Sequence, residues 1–201
     1  MIFIQSSDII DFDFFPLPGK ETQYGLAVCK KNGILELYSM ANELIYRHSL
    51  DHSPLYCAAS QTSDDIRFAS ISHSEIRVYK LITPAVTKIP EYFGLQSSSY
   101  NFTIISDGSD NLFNEASVLP TAFMFYTRLG KKNWIVGDDK GGVNYYYING
   151  KQAARGIASQ DSITSFDRLG QQLVFGSKYN VGVFNTATLE THILCERVSF
   201  I

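Results

Sequence analysis

An all-β fold built from about four repeats of four strands is predicted by three features of these 201 residues. Short runs of β-branched and aromatic residues, drawing on 12 Tyr and 14 Phe, alternate with clusters of Gly, Asn, Asp and Ser along the whole chain. Few windows carry a helical period, so the runs read as strands and the clusters as turns. The third feature is periodicity, because one strand–turn–strand pattern returns at intervals close to 40 residues.

Four segments align on that pattern: LAVCKKNGILELYS from Leu26, FASISHSEIRVYK from Phe68, WIVGDDKGGVNYYY from Trp134 and LVFGSKYNVGVFN from Leu173. Each passes from an apolar strand through a small residue or cysteine (Cys29, Ser70, Gly137, Gly176) and a polar turn to a second strand closing on an aromatic (Tyr38, Tyr79, Tyr146, Phe184). The small residues lie 41, 67 and 39 positions apart, which is one period each time plus an insertion of about 26 in the middle interval. Upstream of each pair stands another strand candidate: Ile9–Phe14, Leu55–Ala59, Ala122–Tyr126 and Ile163–Phe166. Downstream comes a shorter, more polar fourth: Glu43–Tyr46, Ala85–Lys88, Lys151–Ala154 and Glu190–Leu194. Four strands per 40 residues is the requirement of a β-propeller blade, so the array reads as about four blades, alone or within a larger ring. The repeats fall at about 6–50, 51–90, 119–158 and 159–201, with the insertion at about 91–118. Should the period be accidental, a β-sandwich is the competing all-β fold.

Here the chain resembles the WD40 and WD40-like repeat family, whose pattern runs from Gly-His through two turns to a strand closing on Trp-Asp. Gly137-Asp138-Asp139-Lys140-Gly141-Gly142-Val143-Asn144-Tyr145-Tyr146 matches its middle, with Tyr146 at the Trp place and Tyr147 where Asp would stand. Asp51-His52 resembles a degraded Gly-His ahead of Tyr79. No repeat carries Trp-Asp and only one carries the histidine, so the side-chain hydrogen-bond network of typical repeats is not expected. The resemblance implies a rigid, non-catalytic scaffold that contacts other proteins. It also places the turn between second and third strands on the face where each blade connects to the next. Carried over, that face would hold Lys30, Lys31 and Asn32; His73 and Ser74; Asp138, Asp139 and Lys140; Lys178, Tyr179 and Asn180.

Composition narrows the functions further. Net charge is −3, charged residues are 18%, and no basic run exceeds Lys30-Lys31 or Lys131-Lys132, so no footprint for nucleic acid is present. The three cysteines, Cys29, Cys57 and Cys195, lack ligand spacing and read as thiols of a reducing compartment. The start MIFIQSSDIIDFDFF has neither a basic region nor an unbroken apolar one, and no apolar run approaches the roughly 18 residues that span a bilayer. Cytoplasm or nucleus is the expected location, without membrane insertion.

Chemistry finds little purchase. Gly137–Gly142 lacks the GxxxxGK[ST] spacing and no helix follows it, so the glycines read as a bend rather than a phosphate cradle. Asp138 and Asp139 read as a solvated turn, with a carboxylate pair for a glycan-hydrolysing propeller as the alternative. His48, His52, His73 and His192 fall in three repeats without metal spacing, and no GxSxG turn occurs. No catalytic residue, metal or cofactor is therefore expected. Tyr145 and Tyr147 should share one strand face, with Tyr146 on the other.

The insertion PEYFGLQSSSYNFTIISDGSDNLFNEASVLP joins a Ser-rich start and a flexible-looking SDGSDN centre to apolar side chains. Tyr92, Phe93 and Phe113 are expected to contact a partner, the alternative being a local strand or cover over the ring. Four blades close a ring poorly and would leave strand-rich faces bare, so other protein subunits are expected over the open edges. The functional reading is an interaction scaffold within a multiprotein assembly; the alternatives are the propeller hydrolase and a carbohydrate-binding sandwich.

Overall fold

The computed structural model describes residues 8–17, 23–60, 65–82, 103–112, 118–128, 131–169 and 172–196. Among the described residues, sixteen strands form four antiparallel sheets of four, each from consecutive strands in simple up-and-down order. Blade 1 is β1 (Ile9–Pro16), β2 (Tyr24–Lys30), β3 (Ile34–Ser39) and β4 (Leu44–Ser49); blade 2 is β5 (Tyr56–Ala59), β6 (Arg67–Ile71), β7 (Glu75–Ile82) and β8 (Thr103–Asn111). Blade 3 is β9 (Pro120–Arg128), β10 (Lys131–Asp138), β11 (Gly142–Tyr147) and β12 (Gln152–Ile157); blade 4 is β13 (Ile163–Leu169), β14 (Gln172–Ser177), β15 (Asn180–Asn185) and β16 (Glu190–Glu196). The first strands stand side by side, β1 against β5, β5 against β9 and β9 against β13, which is the inner wall of a β-propeller.

The middle strands of blades 2 and 3 are covered on both faces, so they are apolar without alternation: VNYYY in β11 is buried from Val143 to Tyr146. Successive residues then feed different interfaces. Tyr145 faces blade 4 and stacks on Phe184, with ring centroids 6.2 Å apart. Tyr146 faces blade 2, where its hydroxyl donates to the Leu112 carbonyl. The outermost strands are half in water and more polar, as in the alternating burial of β12. A bulge interrupts the third-to-fourth pairing in every blade, at Tyr38, Tyr79, Tyr146 and Gly182, and adds the twist that lets flat sheets fan around an axis.

Three cores fill the three gaps between blades. Phe15, Leu37, Phe68 and Tyr79 join blades 1 and 2; Ile71, Val78, Trp134 and Tyr146 join 2 and 3; Tyr126, Ile135, Phe175 and Phe184 join 3 and 4. Among the described residues, no core joins blade 4 to blade 1, and the ring is open there.

The insertion supplies a local strand, the alternative to partner contact that its sequence offered. Blade 2 takes its fourth strand from Thr103–Asn111, inside the stretch expected at about 91–118, and SDGSDN lies in that strand instead of a flexible centre. Polar composition suits a solvated outer strand, and specific contacts hold it: Asp110 Oδ2 accepts the Gln152 N–H at 2.9 Å. Gly108 lies so close to blade 3 that an added Cβ would fall 2.2 Å from the Asn149 carbonyl oxygen. The expected fourth strand at Ala85–Lys88 lies outside the described residues, as do Tyr92, Phe93 and Phe113.

Candidate functional site

One rim of the array gathers the turns between second and third strands. In three blades the chain leaving the fourth strand bonds back to that turn: Leu50 N–H donates to Gly33 O, Leu112 to Ser74 O and Ala158 to Gly141 O, at 2.7 to 2.9 Å. Turns and blade-to-blade connections thus share one surface. At its best-formed turn, Gly141 has φ +79° and an added Cβ would meet the Ser159 carbonyl oxygen at 2.0 Å, so only glycine fits.

The residues assigned to this rim divide into two groups. Lys31, Asn32, His73, Lys140, Lys178 and Tyr179 are exposed. Each turn therefore presents one basic or imidazole side chain, and Lys178 Nζ lies 4.8 Å from the centroid of the Tyr179 ring. Asp138 corrects the expectation of a solvated, presented carboxylate, since it is fully buried. Its Oδ1 accepts the N–H groups of Lys140 at 2.9 Å and Gly142 at 2.7 Å, and its Oδ2 accepts Asn144 Nδ2 at 3.1 Å and Arg155 Nη2 at 3.3 Å. The carboxylate serves the turn, satisfying donors that a buried bend would otherwise leave unpaired. Asp139 is half-turned inward too, accepting the Leu119 N–H at 2.9 Å. A paired-carboxylate site does not form, because the two side chains serve different backbone groups.

Lys30 also leaves the rim. It turns along the face of blade 1 to Glu36, 2.7 Å away, and Arg47 approaches the other carboxylate oxygen at 2.6 Å. Burial alone would raise the Glu36 pKa, but hydrogen bonds from Lys30, Tyr38 and Arg47 outweigh it and hold the carboxyl below its ordinary range. Burial first, and then the donated bond to Glu36, push the Tyr38 hydroxyl up to about 12.

Two features were missed by sequence reasoning. His52 Nε2 lies 3.0 Å from Ser70 Oγ, a side-chain hydrogen bond that ties the chain entering blade 2 to β6. Burial and nearby Arg77 hold the His52 pKa down, which favours the neutral ring such a bond to a hydroxyl uses. On the opposite rim, Tyr126, Lys131, Asn133, Tyr145, Tyr147, Ala154 and Thr186 line a cleft of about 340 Å³ between blades 3 and 4. Tyr147, 53% exposed, was legible as the odd aromatic ending an otherwise buried strand.

Blades 1 and 2 are tied by inner-strand carboxylates. Asp11 Oδ2 accepts the Cys57 N–H at 2.9 Å and Asp13 Oδ2 the Ala59 N–H at 2.8 Å, both from blade 1 to blade 2. Burial raises the Asp13 pKa despite these bonds. A raised native pKa means the folded chain binds the extra proton, so this group's contribution to stability falls as pH climbs through and just above the ordinary carboxylate range. The Asp13→Asn variant should gain stability relative to wild type over that climb, measured by urea unfolding at successive pH values; a difference constant with pH counts against this account.

Among the described residues, no cluster of three His, Cys, Asp or Glu side chains could hold a metal, and no helix is long and apolar enough to cross a membrane. No family profile and no curated protein matches the chain. Solved structures do resemble it. The Cps50 (Swd1) β-propeller domain of Myceliophteria thermophila superposes with TM-score 0.59 at 10% identity, over 97% of this chain and 60% of that one. BBS1N, solved in complex with ARL6DN, gives 0.61 at 15% identity, over 95% and 55%. The computationally designed Ika4 protein gives 0.54 at 10% identity, over 98% and 96%. The chain thus spans a little over half the length of the first two, and the likeness is one of fold.

Proposed function

We propose that this chain is a degenerate WD40-type propeller segment acting as a non-catalytic protein–protein interaction scaffold, one part of a multiprotein assembly of the cytoplasm or nucleus. The observation that carries this reading is that, among the described residues, no core joins its two end blades. Phe12 on β1 is 59% exposed and Leu169 on β13 is 64% exposed, where the inner strands of a closed ring are covered. The propeller neighbours support it, since one of them, BBS1N, was solved bound to ARL6DN. The partners proposed are other protein subunits, with neither nucleic acid nor membrane insertion involved.

The rim of Lys31, Asn32, His73, Lys140, Lys178 and Tyr179 is the contact surface of this reading. Affinity capture of the tagged chain from its cell of origin, followed by mass spectrometry, tests it. Lys31→Glu, Lys140→Glu and Lys178→Glu combined should weaken recovery of partner subunits about tenfold, which corresponds to about 1.4 kcal/mol, and leave the melting temperature unchanged. Equal recovery by wild type and variant would remove the rim from the proposal.

A further inference from the structure

We infer that the open faces of blades 1 and 4 meet each other in a second copy of this chain, two four-bladed arcs closing head to tail into one eight-bladed ring. The inference rests on the reading above, that protein covers these faces, and names the protein.

Asp167 indicates what blade 4 lacks. Asp13 pairs with Ala27 two residues beyond the position where Asp11 meets Cys29, just after a bulge. Asp167 pairs with Val174 two residues beyond the position where Ser165 meets Gly176, again just after a bulge. The two aspartates therefore hold the same place in their blades. Both also turn one oxygen to the next residue in the chain: Asp13 Oδ1 accepts the Phe14 N–H at 2.8 Å and Asp167 Oδ1 the Arg168 N–H at 2.7 Å. The second oxygen of Asp13 reaches the first strand of the following blade. Asp167 is exposed on the face where a following blade would stand. The group it is placed to receive is a main-chain N–H on an inner propeller strand.

The face of blade 1 fits that position. By register its two rows are Phe12, Val28, Glu36, Arg47 and Phe14, Leu26, Tyr38, Leu44. Phe12 and Leu44 are 59% and 46% exposed, and Lys30 and Arg47 together outweigh Glu36 by one positive charge. The facing surface of blade 4 has the row Asp167, Val174, Val183, His192, flanked by Leu169, Val181 and Glu190. It is apolar with two acidic groups, so the two faces are complementary in charge as well as in hydrophobicity. Contact of one blade's trailing face with the next blade's leading face is also the packing used at all three internal interfaces.

Head-to-tail contacts make a ring only if the rotation closes, and otherwise a filament. Eight blades lie within the range of known propellers.

The purified chain should sediment, and scatter light, as a particle of twice its 22.6 kDa across the micromolar range. Phe12→Asp damages one face, and Asp167→Lys with Val181→Asp damages the other; each variant alone should be a folded monomer by its melting curve. Mixed in equal amounts, the two variants should form a heterodimer, because the intact face of each meets the intact face of the other. A wild-type monomer at these concentrations overturns the inference, and so does a mixture that stays monomeric. A ladder of higher species overturns the closed ring. In each of these cases the scaffold reading is judged separately, by the rim variants in affinity capture.

Discussion

Trp134→Ala should lower the free energy of unfolding by about 3–5 kcal/mol, the largest single-residue loss expected in the molecule. Trp134 is fully buried at the boundary of blades 2 and 3. Its ring stands edge-on to Phe125 with centroids 5.2 Å apart, and lies 5.9 Å from Phe123. Its indole N–H donates to the Ile148 carbonyl at 3.0 Å. Truncation removes the buried area, leaves a cavity between two rigid sheets and strands that carbonyl without its donor. Trp134→Phe keeps most of the volume and should recover more than half of the loss. Equilibrium denaturation measures both; a loss under about 1 kcal/mol for the alanine variant would mean that the blade 2–blade 3 core is not packed as described.

Asp138→Ala should cost about 2–4 kcal/mol, a large effect for a turn residue. Four donors converge on this carboxylate, two of them main-chain N–H groups of the bend itself. Alanine removes this acceptor from all four, leaving Asn144 only its longer bond to the Val136 carbonyl at 3.4 Å, and two of the donor residues, Gly142 and Asn144, are buried. Asp138→Asn keeps one oxygen for the bend but offers an amide to Asn144 and Arg155, so it should fall between. The loss at Asp138 should also exceed that at Asp139 several-fold, since Asp139 serves one N–H and is partly in water. Equal effects at the two positions would contradict the inward role given to Asp138.

The first, second and third strands of blades 2 and 3 were legible in the sequence because they face two hydrophobic interfaces. Their β-branched and aromatic runs are the visible result of burial on both sides, and the alignment of Cys29, Ser70, Gly137 and Gly176 marks one point in each blade. Outer strands carry less of that signal. Thr103–Asn111 reads as a flexible polar loop because only its pairing with β7 and its contacts to blade 3 make it a strand. Side-chain direction at the turn was the other hidden quantity. Asp138 and Asp139 look alike in sequence, yet one carboxylate folds back under the bend. The signal available was an Asp at the turn's first position with a Gly three residues on, an arrangement in which the side chain caps the turn. Lys30 sits beside Lys31 in the chain, but pairing with Glu36 across a hairpin draws it from the rim.

Each sheet is made wholly of consecutive strands, and none borrows a strand from a distant segment. A blade can therefore assemble from neighbouring sequence before it meets another, and the loop-closure entropy of long-range pairing is small. Stability is then a sum along a line. Within a single chain, blades 2 and 3 are each flanked on two sides and should exchange slowest, while blades 1 and 4 should open first wherever no second copy covers their outer faces. An uncapped arc should therefore fray from its ends inward, as a short helix does, with protection against exchange highest where Trp134 joins the two middle blades.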